Sequence, residues 1–141
     1  MKGEFLALIV ATLWGITPLI EKKALNYIDP LMAVFIIICM NFSIISSVLI
    51  IFGKVNITDL SSIPLRPIVY LAIVSILAGV VAQYLFYRAL KISNPSKVVI
   101  ITSMYPLITI LASSIISREP PSIKMISGAF LVFIGIFLVM D

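Results

Sequence analysis

The sequence predicts an all-α membrane protein with five transmembrane helices, and three observations carry that prediction. Apolar residues make up 62% of the 141 positions and charged residues only 11%. A soluble domain averages about 45–50% and about 25%. The mean hydropathy is +1.24. The apolar residues also fall in long blocks, several close to the roughly 20 residues that cross a bilayer. Lys and Arg gather at the block ends, where they meet headgroups. The net charge of +4 therefore belongs to membrane contact and not to nucleic acid.

The first span covers about residues 4–27. MKGEFLALIVA has the charged start and apolar run of a signal peptide, but the block continues through Trp14 without a small-residue cleavage site. It reads as a retained span. Asp29 then caps, and Pro30 opens, a second span over about 30–52 that ends at Gly53. The longest connection leads to a third span over about 64–91. Asn94 and Pro95 repeat the cap-then-proline start for a fourth span over 94–119, and Pro120-Pro121 forces a break before the fifth, 121–140. Three of the four connections are short, so consecutive helices are expected to be antiparallel neighbours within a single domain covering 1–141. Cys39 is the sole cysteine and His is absent. No metal site and no cofactor are expected, and an intramembrane enzyme lacks a readable nucleophile–base pair.

Several helix faces carry patterns. Thr102, Pro106, Thr109, Ser113 and Ser117 fall within about 80° of one another on the fourth helix. Such a stripe either packs closely against another helix or lines a polar path. Ala72, Ser75, Gly79 and Ala82 form a small-residue stripe on the third helix, read as packing or dimer contact in preference to a path. Gly128 and Gly135, seven apart on the fifth helix, are read the same way. At the end of the third helix Gln83, Tyr84, Tyr87 and Arg88 cluster, either as an interfacial belt or as part of a solute path.

The first span holds the least lipid-like stretch, WGITPLIEKK. If the helix enters hydrocarbon near Phe5, Trp14 lies roughly 14 Å deep, near the midplane of a core about 30 Å thick. A midplane tryptophan packs against protein or lines a cavity. Pro18 removes a backbone donor and frees the carbonyl of Trp14; Pro106 does the same for Thr102. Opened backbone at such depth is tolerated where protein or a wet cavity receives it. Glu21 lies about 6 Å inside the far edge. Either it pairs with Lys22, Lys23 or headgroups, the lysines snorkelling outward, or it serves as a solute counter-charge or proton acceptor.

Taken in order, these residues resemble one EamA-type domain of the drug/metabolite transporter superfamily, in its five-helix bacterial and archaeal branch. Trp14-Gly15 with Lys22 eight residues after the tryptophan is similar to the family's opening. YLFYRALKI is similar to its aromatic–Ala-Leu ending. Pro106, Glu119, Gly128 and Gly135 follow at family-like spacing. The chain departs in lacking an arginine in its second helix, in having Arg118 where Gly is usual before the glutamate, and in holding one domain where most members hold two. The resemblance implies a ten-helix, inverted-repeat transporter of which this domain is one half. It also implies a path built from the first, third and fourth helices.

Positive charge bears on how two halves would meet. Lys2, Lys54, Arg66, Arg118 and Lys124 fall on one side of a five-span layout, and Lys22, Lys23, Arg88, Lys91 and Lys97 on the other, five each. Orientation follows Lys and Arg bias on short loops, so an unbiased chain is expected to insert both ways and form an antiparallel homodimer. The resulting expectation is a multi-pass cell-membrane secondary transporter of a small organic solute, working by alternating access. Its path would hold Trp14, Gly15, Pro18, Glu21, Tyr84, Tyr87, Arg88, Thr102, Pro106 and Thr109. The competing expectation is a non-transporting membrane subunit packed against a larger partner.

Overall fold

The computed structural model describes residues 2–53, 63–116 and 121–140. Ser117, Arg118, Glu119 and Lys54 lie outside them. The described residues are helical, with no strand among them. Helix α1 covers Lys2–Leu25 and α2 covers Pro30–Ile51. The third rod is composite: α3 covers Leu65–Val74, a π-helical segment covers Ser75–Ala82, and α4 covers Gln83–Ile92. The fourth is split into α5, Pro95–Thr102, and α6, Tyr105–Ile116. Helix α7 covers Ile123–Met140.

Four of these helical stretches are long and apolar enough to cross a membrane: Phe5–Leu25, Pro30–Ile51, Leu65–Ile92 and Pro95–Ile116. The fifth, α7, has 18 residues, which gives about 27 Å of rise, close to the hydrocarbon thickness. The protein is thus an all-helical membrane protein.

Local chemistry sets the helix starts. Asp29 Oδ1 accepts from the Leu31 N–H at 2.8 Å, and Pro30 occupies the first turn. Asn94 Oδ1 accepts from the Ser96 N–H at 2.9 Å, and Pro95 follows it. In both, the cap takes a donor that the helix leaves unpaired, and proline occupies a position that needs none. At the other end of α2, Gly53 has φ 59°, the left-handed conformation glycine adopts without a Cβ penalty, and its N–H donates to the Ile50 carbonyl at 3.1 Å.

The split in the fourth helix has an equally local cause. Pro106 brings no N–H to the Thr102 carbonyl. The chain turns through Ser103 and Met104, and the Leu107 N–H donates to Met104 at 3.0 Å instead. Pro106→Ala supplies the missing donor. It should join α5 and α6 into one helix and stabilise the fold by at most about 3 kcal/mol. Amide hydrogen exchange at Ser103–Leu107 checks this; unchanged exchange there would place the cause of the break elsewhere.

Two compact units are present, Met1–Leu19 with Ser93–Asp141, and Ile20–Ile92. In the first, α7 packs on both α5 and α6, and Val98 and Ile136 are buried. In the second, α2 packs on α4, and Leu25, Ala33, Val34, Tyr87 and Leu90 form the core. Nearly every other large apolar side chain is uncovered by protein, as suits a molecule whose solvent is lipid.

Candidate functional site

The richest polar cluster among the described residues lies in the second unit, where the end of α1 meets the end of α4. Tyr87 is 1% exposed, and its hydroxyl donates to Glu21 Oε1 at 3.0 Å. Gln83 lies one turn earlier on α4. A hydrogen bond therefore links α4 to α1 through Tyr87. Glu21 and Lys22 are half-buried.

Beside this hydrogen bond sits a two-way lysine clamp. Lys22 Nζ donates to the carbonyls of Leu90 and Lys91, the latter at 3.0 Å. Lys91 Nζ donates in return to the Ile28 carbonyl at 3.0 Å. The last carbonyls of any helix lack intrahelical partners, and they sit at the negative end of its dipole. An ammonium from a neighbouring helix satisfies both needs at once. Lys22 is therefore turned inward onto α4, not outward as snorkelling would have it, and the carboxylate of Glu21 takes its hydrogen bond from a tyrosine.

The other residues singled out in the sequence fall as follows. Arg88 stacks over Tyr84, with its guanidinium carbon 6.0 Å from the ring centroid, and Arg88 is exposed. In the first unit Trp14 is 64% exposed, Gly15 is exposed and Pro18 is buried. Thr102 donates to the Val99 carbonyl and Thr109 to the Tyr105 carbonyl, both at 3.0 Å, and Ser113 likewise bonds back to Ile110. These hydroxyls spend their protons on their own helix and present only oxygen lone pairs outward. Gly79 sits against Ser75, whose Oγ would lie 3.8 Å from an added Cβ, whereas an added Cβ at Gly128 or Gly135 would meet nothing within 4 Å among the described residues. The structure thus joins Glu21 to Tyr87 and Tyr84 to Arg88, and it adds Lys22 and Lys91, which were outside the expected path.

Chemically the cluster can hold a carboxylate in place and fasten two helix ends. No group of three or more His, Cys, Asp or Glu side chains suited to a metal occurs among the described residues.

The sequence model of the EamA-like transporter family matches residues 1–141. Neither a curated protein nor a solved structure matches the chain.

Proposed function

Since the chain belongs to the EamA-like transporter family, a family of transporters and not of enzymes, we infer that it carries a small organic solute across the cell membrane. The observation that carries this reading is the extent of the match, which covers residues 1–141. Two chains inserted in opposite orientations form the working unit, and alternating access about a midplane site moves the solute. The even division of lysine and arginine, five on each side, supports both orientations. Pro18 and the split at Pro106 supply bendable points. Trp14 and Gly15 offer an aromatic face and close approach at mid-depth of the first span, Thr102 and Thr109 present oxygens, and Glu21, Tyr84 and Arg88 supply charge and a ring.

The test has two arms. Paired C-terminal reporters, one active inside the cell and one outside, should both give signal; signal from one alone would remove the antiparallel pair. A thermal-shift screen of amino acids, organic cations and sugars against the purified chain then identifies the solute for vesicle uptake. Trp14→Ala should slow that uptake at least about tenfold, the effect of one lost aromatic contact, with insertion intact. Uptake at the wild-type rate would take Trp14 out of the path.

A further inference from the structure

A groove of about 590 Å³ opens between α2 and the π segment of the third rod. Leu31, Phe35 and Ile38 line it from α2 and Val80 faces it from the π segment, and the one charged residue on its wall is Asp29. Asp29 is the cap of α2, so it stands at the membrane surface, where the helix begins. It is exposed, and so is Lys91, whose ammonium rests on the carbonyl of Ile28 next door. Asp29 thus supplies the negative group on the wall, the Lys91 ammonium stands one residue along the backbone from it at Ile28, and the rest of the lining is apolar.

We propose that this groove holds one acyl chain of a bilayer phospholipid whose headgroup carries an amine, with that amine at Asp29 and the phosphate at Lys91. Length argues for this occupant. Asp29 to Ile38 is nine residues of α2, about 14 Å, or the depth of one leaflet of a core about 30 Å thick. An acyl tail ends at that depth. A helix from a second copy would need a face running the full thickness, and the groove stops halfway. Charge argues for the headgroup. A zwitterion with phosphate and ammonium matches Lys91 and Asp29 together, whereas an anionic headgroup satisfies Lys91 and meets Asp29 with repulsion.

The proposal is independent of whether the protein carries a solute, and no solute enters its test. The full chain is reconstituted in vesicles of equimolar phosphatidylethanolamine and phosphatidylglycerol with identical tails. It is then extracted in mild detergent, and retained phospholipid is measured by mass spectrometry. Wild type should retain the ethanolamine lipid over the glycerol lipid by about threefold, the size expected of one partly exposed ion pair. Asp29→Asn keeps the helix cap, since Asn caps as well as Asp, and should bring the ratio to about one with lipid still retained. Ile38→Trp fills the groove and should drop retention to the detergent background. Retention that survives Ile38→Trp, or a ratio unmoved by Asp29→Asn, overturns the proposal. So does disulfide trapping between copies through Phe35→Cys in a Cys39→Ser background, which would put a second chain in the groove.

Discussion

Tyr87→Ala will cost the folded protein about 3 kcal/mol. In a soluble core the loss of a buried aromatic costs about 3–5 kcal/mol, part of it transfer from water and part the cavity left behind. In a bilayer the transfer part shrinks, because lipid tails are as apolar as a protein interior. The cavity part remains, since Tyr87 is 1% exposed beside Leu25 and Leu90, which are buried to the same degree. The donor to Glu21 is lost as well. Tyr87→Phe separates the two contributions. It keeps the ring, removes only the hydroxyl, and should cost about 1 kcal/mol. Unfolding in mixed micelles with rising SDS gives both values. Equal losses in the two variants would mean that the ring contributes no packing.

Lys22→Met will loosen the join between α1 and α4 by about 2 kcal/mol. Hydrogen bonds to a charged group contribute about 1.5–3 kcal/mol, and a cation at a helix C-terminus adds about 0.3–1 kcal/mol. Partial exposure of the pair reduces the total. Methionine matches the stem of lysine and carries no charge, so the change isolates the ammonium. Lys22→Arg should recover part of the loss, because a guanidinium also reaches carbonyls. The more diagnostic measurement pairs Lys22→Met with Lys91→Met. The two ammonium groups fasten the same junction from opposite sides, so the double variant should lose less than the sum of the singles. Strict additivity would show two unrelated surface lysines.

Much of this architecture was legible in the sequence wherever its cause is local. Blocks of apolar residues announce the bilayer. Asp29-Pro30 and Asn94-Pro95 announce helix starts because cap and proline act within one turn. Pro106 announces the break because the donor it lacks lies four residues from its acceptor. The clamp has no such signature: Lys22 and Leu90 are 68 residues apart, and a lysine near a helix end reads equally well as one reaching for water. The hydrogen bond from Tyr87 to Glu21 was hidden for the same reason, since the two lie 66 residues apart. The π segment was also invisible. SILAGVVA is an ordinary apolar run, and nothing in its residue types separates wide turns from standard ones. Gly128 and Gly135 show the converse, a pattern plain in the sequence that meets nothing within 4 Å among the described residues.

The wide turns over Ser75–Ala82 also give the third rod spare length. A helix bonded from each residue to the fifth along holds more chain per turn than one bonded to the fourth. Excising one residue there lets the coil tighten to ordinary pitch, and the twist that results unwinds toward Leu65, because the opposite end is fastened. Removing one residue beyond Gln83 has no such slack to draw on and must swing either the tyrosine or the terminal carbonyls out of reach of α1. Deleting Gly79 should therefore leave a folded protein and deleting Ala89 should not, a contrast that expression and detergent stability of the two shortened chains would read directly.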